Sequence, residues 1–405
     1  MDISAYMIKR KLLLLSLIFA FAHLGAFAID SVTTTRWKEL SEECHKCYQL
    51  RNYANWENKL NERLSFVRTN ELSNPDLSED YVLIYYDMAC AQALQHKAFE
   101  AFNSLNLAFE NGFKDYERLM NDPDLANLRP EEAFTTFSNK VRERGDYVYI
   151  LDKSPGYSKE LDHLHLPVWT YENADSKDMS RVAEFFSLYN YSTTKDELKK
   201  IMDVCTFIHN MIKFDEKAKL PADCNSIAMA TESMSTGKGL NAKGLSIILA
   251  DCYMAMGIPA RIVECSPRDN DGSNHVITAV WSDDQKKWLW MDPAYNAWTL
   301  DDSGDVLGVN EVREYLKEGK DVFINRTANV NNKVMCKSED YLNRFMAKYL
   351  YYFSSHQHNG FGWDEKNGTS DFVTLVPKGM RDSLIDNDLQ VTDDKWFWQR
   401  PEEVK

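Results

Sequence analysis

The sequence predicts an α+β chain in two parts, helical first and mixed afterwards, and three observations carry that prediction. Between residues 30 and 145 the apolar residues recur at helical spacing. The stretch "LNAKGLSIILADCYMAMGIPAR", Leu240 to Arg261, puts Leu245, Ile248, Leu249, Cys252, Tyr253 and Met256 on one buried helical face. Gly257 and Pro259 then stop that helix. Beyond it the pattern switches to strands, in "ARIVEC", "HVITAVW", "KKWLWM" and, later, "DFVTLVP". A length of 405 residues predicts two domains, and an apolar share of 44% is enough to build their cores.

The first residues stand apart from the fold. Lys9, Arg10 and Lys11 form a basic n-region, "LLLLSLIFAFAHLGAFA" an apolar h-region, and Ala26-Phe27-Ala28 a small-x-small cleavage signal. Residues 1–28 are therefore expected to be a signal peptide cleaved after Ala28, with export to the periplasm or the cell exterior. An uncleaved anchor is the other reading. No later apolar run is long enough to span a membrane. The formal net charge is −15. That acidity argues against nucleic acid or an anionic membrane as partner.

Residues 30–145 read as a helical domain. "DYVLIYYDMACAQALQHKAFEAFNSLNLAFENGF" is a helix, a break near Gln95-His96, and a second helix. Tyr85, Met88, Ala89, Ala101, Leu105 and Ala108 take the packing positions of a tetratricopeptide repeat, whose small residues let two helices approach closely. A plain helical hairpin is the alternative. Either suits a docking or spacer surface for a protein partner. Cys44-His45-Lys46-Cys47 has redox or metal spacing, but with no second CxxC it reads as two cysteines on one helical turn. Residues 146–190, with Pro155, Gly156 and Pro167, read as a connection. Residues 191–400 form the second domain, opening with the helix "KDELKKIMDVCTFIHNMIKF".

"HVITAVWSDDQKKWLWMD" reads as a hairpin turning at Ser282–Gln285. If Trp281 faces Lys286, His275 faces Asp292 across the pair, on one side of the sheet. A carboxylate there can fix the tautomer of the imidazole and stabilise its cation, which is half of a nucleophile–base–orienter triad. The other half belongs at a helix N-terminus, where free N–H groups and the helix dipole favour a thiolate. Residue 242 lies one turn before Leu245 on the buried stripe, and it is alanine.

Helix, "GIPAR", strand, His and then "W-x-W-x-D-P" resemble the transglutaminase-like superfamily, which shares the papain-type core. "LNAKGLSIILADCYMAMGIPARIVECSP", "NHVITAVWSDDQKKWLWMDPAYNAW" and "DFVTLVPKG" resemble a bacterial group of exported or cell-associated members, over roughly residues 195–380. The resemblance implies a cysteine at the position of Ala242, between Asn241 and Lys243, with His275 as base and Asp292 as orienter. It implies acyl transfer or hydrolysis at amide carbonyls through a thioester, without cofactor or metal. With alanine at 242 the chain as written is expected to be catalytically silent and to bind peptide or glycopeptide. Two alternatives stay open: an active acyltransferase, amidase or protease whose cysteine was replaced, and an adaptor acting through the helical domain.

Asn241, Lys243, Trp288 and Trp290 are candidates for substrate contact, the two tryptophans as walls of a groove. Core packing is the other reading of the tryptophans. Cys252 is expected in the core. Cys265 and Ser246 are weaker substitutes for the missing nucleophile. His163 and His165, and His356 and His358, are H-x-H pairs able to bind metal, yet no carboxylate or cysteine stands at ligand spacing. Asn190, Asn325 and Asn367 begin N-x-S/T sequons.

Overall fold

A computed structural model describes residues 31–158, 166, 168–221, 223–269, 271–362, 371–380 and 389–401. The expected signal peptide, His163, His165 and Asn367 lie outside the described residues. The chain divides into two compact units, Met1–Gly145 and Asp146–Lys405.

The first unit is helical throughout its described residues: α1 (Ser31–Gln49), α2 (Tyr53–Asn70), α3 (Asp80–Leu94), α4 (Ala98–Glu110), α5 (Tyr116–Asn121) and α6 (Glu132–Gly145), with short 3₁₀ turns between some of them. Asn52 and Asp115 cap α2 and α5, each accepting a backbone N–H of the first turn. The break at Gln95–Lys97 turns on His96 in the left-handed region, φ 59°. It folds α3 and α4 into a helical hairpin. Ala89, Ala93, Ala101 and Ala108 are wholly buried there, because only a methyl group fits between backbones that close. Tyr85, Met88 and Leu105 complete the seam, and Phe113 stacks on Tyr86 at 4.6 Å between centroids. Cys44 and Cys47 are free and buried on α1.

The second unit is α+β. Its longer helices are α7 (Tyr147–Lys153), α8 (Lys177–Phe185), α9 (Glu197–Met211), α10 (Ser226–Thr236), α11 (Ala242–Ala255) and α12 (Val309–Lys317). Apart from a short pair at Asn329–Val330 and Val334–Met335, its described strands are β1 (Thr170–Tyr171), β2 (Ala260–Ser266), β3 (His275–Ser282), β4 (Lys287–Asp292), β5 (Ala297–Leu300), β6 (Phe323–Ile324), β7 (Tyr352–His356), β8 (His358–Asn359), β9 (Phe372–Leu375) and β10 (Leu389–Val391). Eight of them form one sheet in the order β10-β9-β7-β2-β3-β4-β5-β6, antiparallel except for β9 with β10. β1 pairs separately with β8. Residues 146–190, read as a connection, are instead built into this core. Ile150, Leu151, Trp169, Tyr171, Met179 and Val182 are buried in it.

The stop after α11 has a clear cause. The Gly257 N–H donates to the Met254 carbonyl at 2.9 Å and the Ile258 N–H to the Tyr253 carbonyl at 3.0 Å, which is a Schellman closure. It requires the left-handed φ of 76° that Gly257 adopts, and Pro259 then leads into β2. The β3–β4 register corrects the expected one by two residues. Trp281 pairs with Trp288 and Ser282 with Lys287, so the turn is Asp283–Lys286. The Glu197 carboxylate sets that turn. It accepts the Asp283 and Asp284 N–H groups, each at 3.0 Å, and the Ser282 hydroxyl. A shift of two leaves every side chain on its original face, because strand side chains alternate with period two.

Candidate active site

The site is built from the N-terminus of α11, the start of β3 and the end of β4. Asn241 caps α11, its Oδ1 accepting the Gly244 N–H at 3.0 Å while its Nδ2 donates to the Ala218 carbonyl at 3.0 Å. Both ends of that amide are occupied, so Asn241 braces the helix rather than presenting a free group to a substrate. Ala242 is the first helical residue and is half-buried. The Gly244 N–H is taken by the cap and the Leu245 N–H donates to the Asn241 carbonyl, so among the described residues the Ala242 N–H stays available at the helix end.

Two contacts bring this end of the helix to His275. The Ser246 hydroxyl, one turn on, donates to the Val276 carbonyl at 3.0 Å, and the Thr278 hydroxyl donates back to the Ser246 carbonyl at 3.1 Å. Lys243 pairs with Glu264 at 3.1 Å, and Glu264 accepts the Asn274 amide at 3.4 Å. The neighbour of Ala242 is thus tied, through one carboxylate, to the neighbour of His275. That ion pair engages Lys243 from the side of the sheet, and the ammonium also lies 5.6 Å over the Phe372 ring.

His275 Nε2 lies 2.7 Å from Asp292 Oδ2. The β3–β4 ladder ends at Thr278 opposite Met291, so the two meet diagonally, beyond the last paired residues. A carboxylate oxygen accepts, so Nε2 carries the proton and Nδ1 keeps its lone pair. Asp292 is fully buried and its carboxylate is satisfied on both oxygens. Asp-Pro at the end of β4 opens a turn in which Oδ1 accepts the Ala294 N–H at 2.9 Å and the Tyr295 N–H at 3.4 Å. Oδ2 also accepts the Tyr341 hydroxyl at 2.6 Å. Behind the turn, buried His209 reaches the Pro293 carbonyl at 2.9 Å and the Asn329 amide oxygen at 3.0 Å. Four donors on one buried carboxylate offset the cost of taking it out of water.

Half-buried aromatic rings stand around the imidazole: Phe345 at 5.0 Å, Tyr295 at 5.7 Å and Tyr349 at 6.4 Å. They occupy the place expected of the tryptophans. Trp288 and Trp290 are buried, and the Trp288 indole donates to the Gln399 carbonyl at 3.0 Å. They belong to the core, which the C-terminal residues around Trp396–Gln399 close over. Tyr295, Phe345 and Tyr341 escaped the sequence reading. Tyr295 follows the Asp-Pro motif by two residues, but no local pattern marks residues 341–349 as neighbours of β3 and β4.

None of Cys252, Cys265 and Cys336 supplies the missing thiol. Cys265 lies directly opposite His275 in the β2–β3 pair but is wholly inaccessible. Burial, reinforced by Asp292, pushes its thiol well above the usual range. Burial does the same to Cys252. Half-buried Cys336 is pushed up to about 11, by burial first and then by Asp292. Ser246 is buried and its hydroxyl is spent on β3. His356 and His358, with no carboxylate at ligand spacing in the sequence, share a more distant one: Asp371 Oδ1 is 2.6 Å from His356 Nδ1 and Asp371 Oδ2 is 3.1 Å from His358 Nδ1. Asn325 is buried with its amide donating to the Asn296 carbonyl and the Thr327 hydroxyl, whereas Asn190 is exposed.

Residues 187–293 match the family model of the transglutaminase-like superfamily. No curated protein matches the chain. A solved structure from Cytophaga hutchinsonii, named "putative cysteine protease", is similar at 13% identity over 30% of this chain, with a TM-score of 0.23. The match spans 40% of that protein's length. Among the described residues, no helix is long and apolar enough to cross a membrane. The chain thus has an N-terminal helical region followed by a transglutaminase-like domain, as the match at residues 187–293 shows.

Proposed function

We propose that this chain carries an acyl-transfer site of the Cys-His-Asp type in which the nucleophile position, Ala242, has no thiol. The protein then binds a peptide or glycopeptide without turning it over. The observation that supports this reading is the His275 Nε2–Asp292 Oδ2 contact at 2.7 Å, with the N-terminus of α11 at the same end of β3. A base with its Nδ1 lone pair left over, beside a helix N-terminus, is arranged for proton transfer to and from a nucleophile at residue 242. The half-buried rings of Tyr295, Phe345 and Tyr349 give a ligand an apolar surface beside the base.

The test is Ala242→Cys. The new thiol is expected to react with iodoacetamide at pH 6 at least about ten-fold faster than an ordinary exposed cysteine, since a base and a helix N-terminus both favour thiolate. A rate no faster than that of free cysteine sinks the reading. The intact dyad also favours a second reading, an active enzyme with cysteine at 242. Amide hydrolysis or transfer gained by the same variant, at a peptide the parent merely binds, would select it. The features of residues 1–28 support export with cleavage after Ala28, and N-terminal sequencing tests the cleavage: a start at Ile29 is expected, and a retained Met1 overturns it.

A further inference from the structure

We propose that Tyr341 is a positioning residue of this site, whose phenol holds Asp292 so that Oδ2 stays aimed at His275. The inference rests on reading His275 and Asp292 as base and orienter. Asp292 Oδ1 is held by its own turn, through the Ala294 and Tyr295 N–H groups. Oδ2 has no such local support. Its partners are the His275 imidazole at 2.7 Å and the Tyr341 hydroxyl at 2.6 Å. The phenol comes from 49 residues downstream. Without it the imidazole alone would fix the orientation of the oxygen that is meant to fix the imidazole.

Tyr341 is itself well fixed. It is 3% exposed, with Tyr295 at 5.1 Å, Phe345 at 6.1 Å and Trp290 at 6.4 Å between ring centroids. Burial first, and then the charge of Asp292, pushes its hydroxyl well above the usual phenol range, so it remains a donor at any pH where an imidazole works. It sits in a π-helical segment, Asp340–Met346, a rare conformation that often marks functional sites. The same stretch sends Phe345 against the His275 ring. Two residues after it, Lys348 pairs with Asp271 at 3.0 Å and donates to the Ser273 hydroxyl at 2.8 Å, just upstream of His275. One segment thus reaches the orienter, the base and the approach to the base. Tyr341 touches no reacting atom.

Tyr341→Phe removes the hydroxyl and keeps the ring. In the full chain, NMR of the His275 side chain is expected to show one dominant tautomer, with the proton on Nε2 exchanging slowly. In Tyr341→Phe that exchange should accelerate by about ten-fold, the loss of one hydrogen bond to a charged acceptor, and the tautomers should mix. An unchanged tautomer and exchange rate in folded Tyr341→Phe overturns the proposal. Phe345→Leu disturbs the same segment but leaves the hydroxyl, and an equal effect there also overturns it, because the role would then be packing. Should Tyr341→Phe fail to fold, 3-fluorotyrosine placed at 341 keeps the shape and alters donor strength. The Nε2–H resonance must then move, and a fixed resonance overturns the proposal. The two readings fail separately. A slow thiol in Ala242→Cys with a Tyr341-dependent imidazole removes the acyl-transfer reading alone. A fast thiol with a Tyr341-independent imidazole removes this one alone.

Discussion

His275 meets Asp292 through Nε2, whereas His356 and His358 meet Asp371 through Nδ1; His275, Asp292 and His356 stand on the same eight-stranded sheet and His358 begins β8, which pairs with β1 instead. Asp292 is wholly buried and held by a turn and a tyrosine as well as by its histidine. Asp371 is half-buried and lies where β7 passes into β8, accepting the His358 N–H at 3.3 Å and giving its carbonyl to the Gln357 N–H at 3.0 Å. The first group leaves a ring nitrogen with a lone pair at a helix N-terminus. The second uses two imidazoles to clamp a strand junction. A histidine beside a carboxylate is therefore not a site by itself. What separates them is which nitrogen is left, what else holds the carboxylate, and which backbone element ends nearby.

Four measurements sharpen or break that contrast. The largest effect is on stability. Asp292→Ala strands the His275, Tyr341 and Ala294 donors inside the core, and urea denaturation should show a loss of about 3–5 kcal/mol. A loss no larger than that of Asp371→Ala would break the distinction between the two carboxylates. Next, in the Ala242→Cys background, His275→Ala should slow alkylation at pH 6 about 100-fold, within the range of general-base effects, while His356→Ala leaves it within a factor of about two. Equal effects from both histidines would erase the contrast. Third, Asn241→Ala removes the α11 cap and should cost about 1 kcal/mol in thermal unfolding. A neutral result would mean that Asn241 serves a ligand after all.

The smallest effect is a pH dependence. Burial pushes the Asp371 carboxyl up, but hydrogen bonds from His356 and His358 outweigh it and hold it at about 2. A carboxyl lowered on folding adds stability that is complete above its unfolded value of about 4 and fades as pH falls towards about 2. The stability gap between the parent and Asp371→Asn should therefore shrink as pH falls from about 4 towards about 2. A gap that widens on acidification contradicts the clamp.

Much of the second unit was readable because its signals are local. The α11 stripe and its Gly257 stop each depend on residues within one turn of the helix, whereas Asn241, read as a substrate contact, proves to cap its start. The same-face relation of His275 and Asp292 survived a register wrong by two, since parity alone decides the face. The register itself was not readable, because the Glu197 carboxylate that sets the turn comes from another helix, 85 residues away. The tryptophans of "KKWLWM" stayed open between groove wall and core for a related reason: strand alternation says which side they share, not what covers that side. Residues 146–190 looked like a connection because their buried residues lie in short pieces, too brief for a periodic pattern, that pack against distant elements, the helices α11 and α12 among them.

The sequence by itself determined the helical first part, the apolar helix with an alanine in its first turn, and the strand pair that puts an imidazole and a carboxylate on one face. Those follow from side-chain periods and from turn chemistry acting over a few residues. Only the tertiary structure decided the hairpin register, the burial of Trp288 and Trp290, the Tyr341 hydroxyl on Asp292 and the pairing of His356 and His358 with Asp371. Each of these depends on groups brought together from separate elements, and a chain records such meetings only as complementary shape and charge, with no spacing to read.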